Sequence, residues 1–144
     1  MIREILPPDT ALAFAAMKEL RPQLVDASAF AQYVDDVLRP EGYRLAGVFE
    51  TDDSTVPAVA GFRIAHGIYR GRHLYVDDLS TVPGARRRGY GRALLDWLTE
   101  EARAQQCATF HLDSGVGVDR ADAHRLYFNA GLRIASFHFE TKLF

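Results

Sequence analysis

The sequence predicts an α/β (α+β) fold, with one mixed, mostly antiparallel central sheet flanked by helices, in a single domain covering residues 1–144. Three observations carry this. Strand-like runs at residues 43–50, 56–66 and 74–82 follow one another with only turns between them, the pattern of an antiparallel meander. Two helical patterns come before them, and from the last of the three a strand, helix, strand, helix, strand alternation runs on through the tail. No repeat, low-complexity segment or linker interrupts the 144 residues, and that length buries a core without disulfide or metal staples.

Taken in order, residues 2–6 form a first strand closed by Pro7-Pro8, after which Asp9 or Thr10 caps a helix running towards Leu20. Leu12, Ala16 and Leu20 give that helix a buried face. A second helix spans residues 28–38, where Phe30, Val34, Val37 and Leu38 recur at helical spacing until Pro40 and Gly42 stop it. The turn Thr51-Asp52-Asp53-Ser54 joins the first two long strands as a hairpin, and Gly71 between Arg70 and Arg72 marks the next reversal. Pro83-Gly84 end the third strand. Residues 89–104 then read as a helix with Leu94, Leu95, Leu98 and Ala102 inward. Residues 109–113 make a short strand and residues 121–129 a last helix, ended by Ala130-Gly131 as a glycine C-cap. One or two closing strands are expected over residues 132–143.

Composition excludes several classes. A net charge of −2 does not describe a general polyanion binder, so no nucleic-acid partner is expected. The single cysteine, Cys107, allows no intramolecular disulfide and no Cys-x-x-Cys site, which suits a reducing, cytoplasmic setting, and it reads as a small apolar residue. The opening residues lack the apolar run of a signal peptide and no later stretch is long enough to span a bilayer, so no membrane partner is expected. His66, His73, His111 and His138 are scattered without ligand spacing, and no metal is expected.

The informative segment is Arg86-Arg87-Arg88-Gly89-Tyr90-Gly91-Arg92, placed between a strand and a helix. The first amides of a helix have no intrahelical acceptor, and the helix dipole favours an anion there. Gly89 and Gly91 let the backbone approach a phosphate closely, while Arg86, Arg87, Arg88 and Arg92 surround it with positive charge. There is no Gly-x-x-x-x-Gly-Lys-Ser/Thr and no third glycine of a dinucleotide fingerprint.

Arg86, Gly89 and Gly91 match the Arg/Gln-x-x-Gly-x-Gly/Ala signature of the GNAT superfamily of N-acetyltransferases, which the chain resembles. The preceding run at residues 74–83 resembles the superfamily's splayed fourth strand. The later run at residues 123–132, with Leu126, Tyr127 and Gly131, resembles its Ala-x-x-Leu-Tyr-x-x-x-Gly-Phe segment. The resemblance implies an acyltransferase that takes acetyl-CoA as acyl donor, uses no metal, and acetylates a primary amine by direct attack in a ternary complex. A longer acyl donor, and a catalytically silent CoA-binding module, are its alternatives. It implies that Leu79, Ser80 and Thr81 present backbone amides to the acyl group, that residues 86–92 hold the pyrophosphate, and that Tyr127 protonates the leaving thiolate. Asp77 or Asp78 would accept the amine's proton. Adjacent strand residues point to opposite faces unless a bulge intervenes, so only one of the two is expected at the site. Asp113 and His124 are candidates for the acceptor pocket. Arg120 stands where many members carry asparagine, so that asparagine's role does not transfer. The acceptor is left open among small-molecule and peptide amines, as is a homodimer.

Overall fold

The computed structural model describes residues 1–144. The chain divides into two compact units, Met1–Leu112 and Asp113–Phe144.

The first unit is built on five strands, β1 (Ile2–Glu4), β2 (Arg44–Val48), β3 (Ala58–Gly67), β4 (Gly71–Thr81) and β5 (Thr109–Leu112), which lie side by side in that order. β1 to β4 pair antiparallel. β5 pairs parallel with β4, as it must when a helix carries the chain back between them. Strand alternation sorts the side chains onto two faces. Leu45 and Val59 join Ala13, Met17, Phe30 and Val34 on one, while Ala46, Ala60 and Phe62 join Leu94 and Leu98 on the other. The sheet is thus covered on both faces, as the sequence predicts.

Two helices, α1 (Phe14–Leu20) and α2 (Ala27–Tyr33), precede the meander. Both differ from expectation at their ends. A 3-10 turn, Asp9–Ala13, leads into α1, and neither Asp9 nor Thr10 caps it. Thr10 is instead fully buried and its hydroxyl donates to Asp35 Oδ1 at 2.7 Å. Arg39 Nε donates to the same oxygen at 2.8 Å, and Arg39 Nη2 to the Ile5 carbonyl at 2.8 Å. A tertiary polar network has taken the group that local capping would have used. Burial raises the Asp35 carboxyl, but the bonds from Thr10 and Arg39 outweigh it and hold the group below the usual carboxylate range. In α2 the cap is Asp26, which accepts from the Ala29 amide at 2.7 Å, and the turn at Val34–Leu38 is wound as a π-helix before Gly42 ends the segment at φ 98°.

The helix between β4 and β5 is α3 (Tyr90–Ala104), whose Leu94, Leu98 and Ala102, spaced four apart, are buried. Each leucine so buried contributes about 1.5–3 kcal/mol.

The second unit holds a 3-10 turn, Val118–Arg120, and helix α4 (Ala121–Asn129). α4 ends as the sequence predicts: Gly131 sits at φ 90° and the Leu132 amide donates back to the Tyr127 carbonyl at 3.0 Å. The closing strands expected over residues 132–143 are absent. Residues 132–144 belong to no helix or strand, and the sheet stops at β5. Apolar alternation gives a segment strand character, but a strand exists only where a second backbone satisfies its amides and carbonyls. No helix of the chain is long and apolar enough to cross a membrane.

Candidate active site

Two departures from regular sheet structure make the site. The first is a β-bulge. Gly61 of β3 faces Asp78 of β4, yet the next residue, Phe62, faces Val76, so Asp77 is an extra residue on β4. The expectation that Asp77 and Asp78 point to opposite faces is therefore corrected. Both line one cavity of about 340 Å³, together with Arg21, Leu38, Glu41, Tyr43 and Arg63.

The second is a splay. β4 and β5 stay paired only from His73↔Thr109 to Val76↔Leu112. Beyond that point β4 runs on through Leu79, Ser80 and Thr81 with only β3 beside it. Its other edge offers backbone donors and acceptors to an extended ligand.

Most of the residues lining the cavity are charged, and their charges are organised. Arg63 binds Asp77 with two parallel bonds of 2.8 Å, Nε to Oδ2 and Nη2 to Oδ1. Arg21 Nε donates to Asp78 Oδ1 at 2.9 Å, and Arg21 Nη2 to the Asp77 carbonyl at 3.0 Å. The Tyr43 hydroxyl donates to the other Asp78 oxygen, Oδ2, at 2.8 Å. Tyr43 is buried, and burial together with the negative charge of Asp78 pushes its phenol far above the usual range, so it stays a donor. Gly61 makes room for this ring: a Cβ there would lie 1.7 Å from the Tyr43 hydroxyl oxygen. Three carboxylates against two guanidinium groups leave the lining with one negative charge in excess.

β4 leads through a 3-10 turn, Pro83–Ala85, into the basic segment. Arg87 at φ 65° and Gly89 at φ 80° are both left-handed and flank Arg88, the alternation that turns successive amides into one concave nest. Tyr90, the first residue of α3, packs against the core beneath the helix. No side chain caps α3 and its first turn carries no acid, so its leading amides are unclaimed by the protein. Space is also open, since nothing lies within 4 Å of a Cβ built on Gly89. Arg86 and Arg88 make long contacts to Glu19 and Glu50, at 3.5 and 3.4 Å, while Arg92 Nε donates to Asp96 at 3.1 Å. The exposed pairs of Arg86 and Arg88 hold those two side chains weakly and leave them able to turn to a phosphate. An anionic diphosphate fits the backbone and the charge of residues 86–92.

The predicted residues of the first unit therefore fall on one continuous stretch, from the bulge at Asp77 through Leu79, Ser80 and Thr81 to Arg92. Asp113, His124 and Tyr127 belong to the second unit. There Tyr127 is half-buried, and burial raises its phenol above the ordinary value, opposed by the Arg120 guanidinium bonded to it. Arg120, which replaces the superfamily's asparagine, thus touches the candidate acid. His124 Nε2 lies 2.8 Å from the Gly115 carbonyl and His138 Nδ1 lies 3.0 Å from Asp113 Oδ2, so both predicted pocket residues hold loop and tail contacts within their own unit.

Arg21, Glu41, Tyr43 and Arg63 were missed. Their sequence neighbourhoods carry no motif, and the register that sets Tyr43 against Gly61 cannot be read from spacing. The one available signal was Gly61 itself, a glycine inside an apolar strand, which marks close approach by another group.

The sheet thus splays beside a bulge and then feeds the basic, uncapped start of α3. Residues 9–131 match the acetyltransferase (GNAT) family, and the chain belongs to that family. Among curated proteins it is 33% identical over 128 residues to the uncharacterized N-acetyltransferase YhdJ of Bacillus subtilis, covering 88% of this chain and 87% of the relative. Its fold matches that of an acetyltransferase from Trypanosoma brucei, with a TM-score of 0.82 at 19% identity over 99% of both chains. It also matches glucosamine-6-phosphate N-acetyltransferase from Arabidopsis thaliana, with a TM-score of 0.75 at 15% identity over 99% of this chain and 97% of that one.

Proposed function

We propose that this protein transfers the acetyl group of acetyl-CoA to a cationic primary amine, by direct attack in a ternary complex. The observation that carries the reading is the free edge of β4 at residues 77–81 running straight into the uncapped, left-handed turn that opens α3. The turn takes the pyrophosphate, and the β4 edge takes the pantetheine arm by strand-like pairing and offers amides of residues 79–81 to the acyl oxygen as it gains charge. The adjoining cavity, one negative charge in excess, draws in an ammonium rather than a carboxylate.

In the reaction the ammonium first gives a proton to the Asp77/Asp78 pair. Each carboxylate has about four lone-pair positions, so both retain acceptor capacity beside their arginine and tyrosine partners. The free amine nitrogen then forms a bond to the acetyl carbon as the carbon–sulfur bond breaks, the Tyr127 hydroxyl protonates the departing thiolate, and the second proton, lost from nitrogen to water, is balanced by the proton that water returns to the Tyr127 phenolate. A phenol held above its ordinary value is protonated at neutral pH and is suited to that part.

A panel of amines assayed with acetyl-CoA, reading released thiol, tests the reading. Thiol release that rises when a cationic amine is supplied, with product mass increased by one acetyl group, supports it. Binding of CoA with no amine-dependent release would make the chain a silent CoA-binding module instead. Tyr127→Phe should lower turnover while leaving CoA affinity almost unchanged.

A further inference from the structure

The charge on the cavity beside β4 is unevenly spread. Arg63 takes both oxygens of Asp77, while Asp78 gives one oxygen to Arg21 and the other to the Tyr43 hydroxyl. Two guanidinium groups and two carboxylates cancel there, so this part of the lining carries no net charge. The excess negative charge belongs to Glu41. That residue is exposed and makes no hydrogen bond or ion pair; it acts on Arg63 through its charge alone, while Arg63 is bonded to Asp77.

The backbone that carries Glu41 is held in place. Glu41 ends the 3-10 turn Arg39–Glu41, where the Gly42 amide donates to the Arg39 carbonyl at 2.9 Å and the Tyr43 amide to the Leu38 carbonyl at 3.1 Å. Arg39 is fixed in turn by Asp35, Thr10 and the Ile5 carbonyl. A charged group on a fixed backbone, lining a cavity and without a partner in the protein, is set to take one from a ligand. Leu38, the one lining residue whose side chain has no polar group, gives apolar contact for a carbon chain.

We infer that Glu41 is a specificity-determining residue, which selects acceptor amines that carry a second positive charge; this rests on the transferase reading and names the class of acceptor within it. The two parts of the cavity suit the two ends of such a molecule. The reacting nitrogen must become neutral before it attacks, and the Asp/Arg cluster has no net charge to hold it in the ammonium form. The second charge undergoes no such step, so it stays paired with Glu41 from binding to product. It also assists, since a like charge nearby disfavours the ammonium form of the reacting nitrogen and eases the loss of its proton. A monoamine leaves Glu41 unpaired once its nitrogen is neutral. At about 340 Å³ the cavity has room for a small acceptor, at the lower end of the roughly 300–1,000 Å³ usual for ligand sites.

Steady-state kinetics with acetyl-CoA test this on the full chain, using terminal diamines from diaminoethane to diaminohexane and monoamines of the same carbon count. At least one diamine should exceed its matched monoamine in kcat/KM by about five- to ten-fold, a comparison that needs no variant. The contact with Glu41 is made alike before and during the chemical step. Glu41→Gln should therefore erase the preference, with the larger share of the change in the diamine KM rather than in kcat. Glu41→Lys should turn the preference round, favouring an amine with a terminal carboxylate, such as aminobutanoate, over the diamine. The denaturation midpoint and the calorimetric affinity for CoA verify that both variants are folded. Monoamines acetylated as well as every diamine, or a preference that survives Glu41→Gln, would overturn the role of Glu41 and leave the transferase reading standing. Thiol release that no amine raises would overturn both.

Discussion

Substituting Gly61→Ala tests how the cavity is held open. Alanine in a strand interior ordinarily gains about 0.5–1 kcal/mol over glycine by restricting the unfolded chain. Here its Cβ would sit 1.7 Å from the Tyr43 hydroxyl oxygen and 2.4 Å from the ring carbon that bears it, so the buried ring must move. Overpacking a formed core costs about 1–3 kcal/mol. Displacing the hydroxyl from Asp78 Oδ2, now 2.8 Å away, removes a hydrogen bond to a charged group worth about 1.5–3 kcal/mol. The expected net destabilisation is about 2–5 kcal/mol, a large share of the roughly 5–15 kcal/mol that holds a domain folded. Equilibrium urea denaturation measures it. Gly67→Ala is the matched control, because it lies at the end of the same strand with nothing within 4 Å of the added carbon, and it should be neutral or mildly stabilising. If both variants have the same midpoint, the close approach of Tyr43 to Gly61 is wrong, and with it the account of how Asp78 is held.

Three further outcomes follow from particular residues. Gly89→Val meets no steric obstacle but must occupy φ 80°, at about 1–2 kcal/mol for a non-glycine residue. Escape from that conformation breaks the amide nest and should weaken CoA binding roughly ten-fold or more, one charge-assisted bond being worth about 1.5–3 kcal/mol; unchanged affinity by calorimetry would refute the pyrophosphate assignment. Tyr127 has a phenol raised above 10.0, so an acid that must be protonated stays competent, and turnover should show no loss attributable to it until pH exceeds that value. A Tyr127-dependent loss of turnover at lower pH would contradict this. Asp35 has a depressed folded value, so its contribution to stability is present above the unfolded value of 3.8 and is lost as pH falls through the lower folded one. The denaturation midpoint of the parent should therefore fall more steeply below pH 3.8 than that of Asp35→Asn.

The sequence by itself determined what depends on nearby residues. The turn at residues 86–92 was legible because left-handed glycine conformations and the unclaimed amides of a helix start are local properties. The same holds for the Gly131 cap of α4 and for the order of β4, α3 and β5, since a helix returning across a sheet makes its flanking strands parallel. Tertiary structure alone decided the rest. Asp77 joins Asp78 in one cavity because of an extra residue opposite Gly61 and Phe62, and a bulge exists only in the register between two strands. Arg21, Tyr43 and Arg63 reach those aspartates from distant parts of the chain, and Thr10 abandons its capping position for Asp35 because burial makes a satisfied hydroxyl worth more there. Residues 132–144 have the apolar pattern of a strand yet form none, because a strand requires the hydrogen bonds of a neighbour as well as its own side-chain pattern.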